Sequence, residues 1–353
     1  MKELPPSYQP QMDGLRAVAI LLILVHHFHG PLHEYYEFGP LGVRFFFVLS
    51  AFLVTRGFLK ARRRCETGKS TATGEFVEFE KRRLIRIVPP YYLFLAIGTA
   101  LAIVPVRETL GWTLPLLTNF YMAHIGDFPP VISHFWYIAV QEQIYLVWPW
   151  LILLIPFTKL RPVFIGLTVL TLGFRASCIV LGASDYVRWF NPVGSLDSFA
   201  IGGFLACLSL EKPRLLDRTS TRLWTGLLAL AAILGGHFLR LLPLQNPWSI
   251  GSELLEATGI AWVVACSVVG FRGWPGKLLA SPALVYLGKI SYGIYVYHVL
   301  VSVLFDAWAS SHHVVLGLNL RFAILTVITV AAAALSWHFF ETPILKIRKK
   351  TTA

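Results

Sequence analysis

About ten windows of roughly 20 apolar residues follow one another along the chain, starting near Asp13, Gly39, Leu84, His134, Pro162, Ser195, Arg222, Ser252, Pro282 and Gly317. A window of that length crosses the hydrocarbon core of a bilayer as an α-helix. The sequence therefore predicts an all-α polytopic membrane protein of about ten transmembrane helices. Composition agrees, since 56% of the 353 residues are hydrophobic and only 14% are charged, against about a quarter charged in a soluble chain. The opening residues are polar and proline-rich, and no small-residue cleavage site follows the first apolar run. That run is expected to stay as an anchor.

The net charge of +12 would suit nucleic acid, but the placement of the basic residues points to a membrane instead. They crowd into a loop over about 60–83, then Lys159 and Arg161, then Lys212, Arg214, Arg218 and Arg222, then Arg272 and Lys277, and a flexible tail over about 346–353. The alternate connections keep only Arg107, Arg188 and Arg240. The positive-inside rule then puts both termini and the basic loop in the cytoplasm. Within 108–130, residues 111–124 are aromatic and apolar but too short to cross, and a re-entrant or surface helix on the outer side is expected there. No repeat of inverted halves is visible, so 1–353 reads as a single membrane domain. Cys65, Cys178, Cys207 and Cys266 lack metal or redox spacing and are expected to be unpaired.

Polar groups inside the apolar windows carry the chemistry. Arg16 and His27 have ten residues between them. On a helix they stand three turns apart, within roughly 20° of one face and ~16 Å along the axis. Ionisable groups in a span are costly and face a cavity or a partner; the plainer alternative is an arginine and a histidine snorkelling to opposite surfaces. Ser50 falls mid-span, where a serine commonly bonds a backbone carbonyl or a neighbouring helix. Arg83 and Arg86 share a helix face beside Arg82, as ordinary anchors or as a clamp for a phosphate-rich cytosolic cofactor. Glu142, flanked by Gln141 and Gln143, is expensive in a span unless paired or protonated. Asp197, His298 and Glu341 are further polar residues in later windows, the last two as suited to packing as to catalysis.

With the basic loop as a cytosolic mouth, these groups suit moving an activated anionic group toward a site inside the membrane. A neutral histidine can take the proton of an attacking hydroxyl while a carboxylate orients it. Arginine, tyrosine or tryptophan donors can steady the oxyanion. The ~16 Å from Arg16 to His27 is comparable to an extended pantetheine arm, so coenzyme A held by its phosphates at the cytosolic face could present a thioester to His27.

These stretches resemble the acyltransferase-3 family of integral membrane O-acyltransferases over nearly the whole chain. Residues 12–19 look like its Leu-Asp-Gly-Leu-Arg-Ala-Val-Ala opening, with Arg16 and His27 on its Arg/Lys–ten residues–His pattern. Phe46-Phe47-Val48-Leu49-Ser50 is similar to Phe-Phe-x-x-Ser-Gly, and Arg83-Leu84-Ile85-Arg86 to Arg-x-x-Arg. Residues 134–145, including Trp136 and Tyr145, resemble the Trp-Ser-Leu-Ser-Val-Glu-x-Gln-Phe-Tyr block; 291–298 and Glu341-Thr342-Pro343 resemble the closing motifs. Three departures stand out: Ala51 for glycine, Gln141 for the usual glutamate with Glu142 one place on, and Ser195 for an arginine two places before Asp197. One residue turns a helix by about 100°, which leaves Glu142 or Asp197 as the replacement carboxylate.

The resemblance implies acyl transfer, often of acetyl, from acetyl-CoA or another acyl-CoA to a hydroxyl of a saccharide, lipid-linked glycan, cell-envelope polymer or secondary metabolite. It implies no metal, a bacterial cytoplasmic (inner) membrane location and lipid surroundings. It casts His27, Arg16 and Glu142 as catalytic and Arg82, Arg83 and Arg86 as holding the cofactor. Ser50, Trp136, Tyr145, Asp197 and His298 would support the substrates, and any hydrolase-like partner is expected to be a separate protein. The rival readings are a non-catalytic transporter or exporter of a polar, glycan-like solute, and an inactive relative serving as a sensor.

Overall fold

The computed structural model describes residues 9–220, 222–243 and 246–345; the basic tail expected at about 346–353 lies outside them. It is 85% helical, with no strand among the described residues. Ten helices of 16 residues or more are numbered here in chain order: α1 Pro10–Phe28, α2 Phe38–Glu66, α3 Ala72–Ala100, α4 Phe135–Leu154, α5 Phe157–Val180, α6 Leu196–Glu211, α7 Leu223–Arg240, α8 Ser252–Val269, α9 Pro282–Ser311 and α10 Leu318–Leu335.

Nine helices among the described residues are long and apolar enough to cross a membrane, and the protein is a multi-pass membrane protein. The expected window near Leu84 is the one that differs. It sits in the second half of α3, behind a charged first half that runs from Glu75 to Arg86, with Pro89 and Pro90 inside the helix. Proline removes an intrahelical hydrogen bond and clashes with the preceding turn, so α3 changes character where its charge ends. Beyond it, Tyr91 and Tyr92 donate hydrogen bonds of 2.7 Å each to the carbonyls of Thr113 and Leu114. These two bonds dock the region expected to form one surface helix over 111–124. It forms two short helices instead, Leu110–Thr113 and Thr118–Ile125, separated where Leu116 takes a φ of +58°. A leucine in that left-handed conformation breaks the run.

α1 is held on both sides by backbone-to-backbone approaches that only glycine allows. A Cβ at Gly288 on α9 would stand 1.9 Å from the carbonyl oxygen of Asp13, and one at Gly42 on α2 would stand 2.7 Å from that of Ala19. Small residues at such crossings are how membrane helices pack closely. Ile20, Ile23, Leu24 and Phe28 are buried in the resulting core, so the rotation of α1 is fixed. Among the described residues no disulfide joins Cys65, Cys178, Cys207 or Cys266, and the last three are buried.

Candidate active site

Two cavities open along α1, and the helix contributes a polar residue to each. His27 lines a cavity of about 400 Å³ toward its C-terminal end. Arg16, three turns earlier, lines a second cavity of about 370 Å³. Tyr295 of α9 borders both.

The His27 cavity is walled by Gly39, Val43, Arg44 and Phe47 of α2, by His134 and Trp136 at the start of α4, and by the arginines Arg175, Arg188 and Arg240. His26, His27 and His134 line it, and His298 packs against the last two. The His27 ring centroid lies 4.6 Å from that of His298, which lies 5.0 Å from that of His134. Each donates one N–H to a backbone carbonyl: His27 Nδ1 to Ile23 at 2.9 Å, His298 Nδ1 to Tyr295 at 2.6 Å, and His134 Nε2 to Val296 at 3.2 Å. A carbonyl only accepts, so each of these nitrogens carries a proton. In a neutral His27 the lone pair then lies on Nε2, the state a general base requires. His298 Nε2 and His134 Nδ1 are buried without a hydrogen-bond partner among the described residues. Among the described residues no three side chains are disposed to share a metal ion.

Behind this cavity runs a network of buried charges. Arg175 pairs with Asp197 at 2.9 Å and with Glu253 at 3.0 Å. Arg44 pairs with Glu256, which also takes Arg240 at 2.6 Å. Arg188 donates to the hydroxyl and carbonyl of Ser249 at 3.0 and 2.9 Å. Asp197 is fully buried and also accepts the Ser198 N–H at 2.7 Å. Its position makes it the holder of Arg175 rather than a group in contact with His27.

The second cavity collects the remaining expected residues. Arg16, Ser50, Arg82, Arg83, Arg86, Glu142 and Tyr145 all line it. Arg83 pairs with Glu142, and its guanidinium lies 3.8 Å from the centre of the Tyr145 ring and 5.0 Å from that of Phe79. Arginine stacked on an aromatic face gains a cation–π attraction. Arg16 donates to Asp13 at 2.8 Å, and the exposed Arg82 lies 3.8 Å from Glu78. Arg86 makes no hydrogen bond or ion pair with the described residues. Gln141 donates to the Tyr145 hydroxyl at 3.0 Å.

Glu142 and His27 thus border different cavities, so the carboxylate meets Arg83 and does not orient the histidine. Trp136 and His298 stand with His27; Ser50 and Tyr145 stand with Arg83. Sequence reasoning passed over His134 as a site residue. Its signal was the histidine two places before Trp136 at the mouth of a span. The buried partners Arg44, Glu253 and Glu256 were likewise out of reach, because Arg44 and Glu256 are 212 positions apart.

The profile of a family described as an acyltransferase domain matches residues 9–338. A Staphylococcus aureus (strain MSSA476) protein provisionally named an O-acetyltransferase is 24% identical over 370 residues, which cover 96% of this chain and 58% of that one. The O-acetyltransferase OatA of Staphylococcus aureus (strain NCTC 8325) is 23% identical over 364 residues, covering 97% and 58%. The chain therefore spans less than two thirds of the length of these relatives. No solved structure matches it.

Proposed function

Because the chain belongs to the acyltransferase-3 family, we propose that it moves an acyl group, acetyl in the simplest case, from an acyl-CoA to a hydroxyl of a saccharide, cell-envelope glycan or secondary metabolite. The names of the relatives above support O-acetylation in particular. The observation that carries the reading is that one rigid helix presents Arg16 to one cavity and His27 to another, and that the two cavities meet at Tyr295.

In this reading the Arg83 cavity takes the donor. The clustering of lysine and arginine on alternate connections supports its opening to the cytosol across a cytoplasmic membrane. Arg86 makes no hydrogen bond or ion pair with the described residues and Arg82 is exposed, which suits the phosphates of coenzyme A. Arg83 is held by Glu142 and Tyr145 and forms the fixed part of the same clamp. Glu142 then acts as a positioning residue. Arg16 lies on the path between the phosphate end and the thioester.

The His27 cavity takes the acceptor. His27 Nε2 removes the proton of the acceptor hydroxyl as its oxygen attacks the thioester carbonyl. A C–O bond forms, the C–S bond breaks, and the departing thiolate takes the proton back from the imidazolium. His298 backs the His27 ring, and Trp136 and Phe47 give the apolar wall against which a sugar ring can rest. The rings packed between the cavities support handing a small group across over passing a whole solute, as a transporter would. Mass spectrometry of envelope glycans and small metabolites, with and without the gene, tests the proposal. One species should lose a single acyl mass increment when the gene is removed, and unchanged profiles would count against it.

A further inference from the structure

Between the two cavities stands a partition of aromatic rings. Tyr295 borders both sides, Tyr137 borders the Arg83 cavity and Phe47 the His27 cavity. The Tyr137 ring centroid lies 5.3 Å from that of Tyr295 and 4.8 Å from that of Phe47. Such separations are ordinary ring-on-ring contact, and the two tyrosines are only 6% and 3% exposed.

The two tyrosines are anchored differently. The Tyr295 hydroxyl donates to the backbone oxygen of His134, tying α9 to the start of α4. The Tyr137 hydroxyl makes no hydrogen bond with the described residues. Tyr295 is therefore the fixed jamb of the partition, and Tyr137 is the ring free to yield.

Resting on the donor and acceptor assignment above, we propose that Tyr137 and Tyr295 set the length of acyl chain the protein transfers, and set it short. The thioester sulfur lies on the Arg83 side and the acceptor oxygen near His27 on the other. The carbonyl carbon has to sit at the partition, so the remainder of the acyl group lies among the Tyr137, Tyr295 and Phe47 rings. An acetyl methyl needs little room there. Each further methylene has to displace a packed ring, and overfilling a close-packed site is unfavourable. A fitted apolar pocket discriminates by about 10- to 200-fold per methylene.

The test uses the full chain in inverted membrane vesicles supplied with radiolabelled acetyl-CoA or butyryl-CoA, reading label passed to endogenous acceptor above a His27→Ala background. Wild-type vesicles should favour acetyl. Tyr137→Ala should raise the butyryl-to-acetyl ratio by roughly tenfold or more, and Tyr137→Phe, which keeps the ring, should leave the ratio as it was. Tyr137→Leu gives the same reading as Tyr137→Ala if the alanine variant fails to insert. Wild-type transfer of butyryl as fast as acetyl, or an unchanged ratio in an inserted and active Tyr137→Ala or Tyr137→Leu, would overturn the partition while leaving the donor assignment standing. No label above background from either thioester would overturn both.

Discussion

Arg175 of α5 and Asp197 of α6 lie 2.9 Å apart with only 2% and 0% of their side-chain surfaces exposed. Arg175 also faces Glu253 at 3.0 Å, so it is removal of the arginine that leaves buried charge uncompensated, at a cost of about 3–5 kcal/mol. Arg175→Met should therefore lower the melting temperature of the detergent-purified protein sharply. Asp197→Ala leaves Arg175 paired with Glu253 and should cost less. An unchanged melting temperature in Arg175→Met would show that these pairs do not hold the wall of the His27 cavity.

Arg86 should matter for donor affinity more than for turnover. A hydrogen bond to a charged group is worth about 1.5–3 kcal/mol, so Arg86→Ala should raise KM for acyl-CoA roughly tenfold or more with kcat little changed. Glu142→Gln, which loosens Arg83, should act in the same direction and more weakly. Steady-state kinetics over a range of acyl-CoA concentrations checks both, and a fall in kcat at constant KM would contradict the clamp.

Gly288 should tolerate no side chain. Its Cβ would stand 1.9 Å from the Asp13 carbonyl oxygen, and that oxygen belongs to helix backbone that cannot step aside alone. Gly288→Val should displace α1 from α9 and remove the monodisperse peak in fluorescence-detected size exclusion. A change at the exposed and loosely surrounded Gly57 should not.

The basic loop carries its own pH dependence. Arg64 donates to Glu75 at 2.7 Å, and this bond holds the Glu75 carboxyl below the usual carboxylate range. A depressed folded-state value means the pair contributes fully above the unfolded carboxylate pKa and is lost as pH falls through the folded one. Amide exchange at the start of α3 should therefore speed up on acidification below that range, and Glu75→Gln should abolish the change. Exchange that ignores pH, after correction for its intrinsic rate, would remove the pair from the account.

Much of this arrangement is readable from the chain alone, for identifiable reasons. Apolar length marks the crossing helices because the bilayer sets that length. The helical period puts Arg16 and His27 on one face of α1, as the continuous helix Pro10–Phe28 has them. α3 was harder, because its charged first half dilutes the apolar signal of the second. The partner of Glu142 was harder still. Period alone gives the face of α4, and only tertiary packing brings Arg83, 59 positions earlier, against that face. The partition is invisible for the same reason, since Tyr137, Tyr295 and Phe47 come from three separate helices.

The account turns on the lone pair of His27 Nε2, and transfer of labelled acetyl from acetyl-CoA by His27→Ala vesicles tests it most directly. General-base catalysis contributes roughly 10²–10⁴-fold, so transfer should fall by about that factor while the amount of inserted protein and the affinity for acetyl-CoA stay as in the wild type. Transfer that survives the substitution at the wild-type rate would contradict the claim that this histidine activates the acceptor.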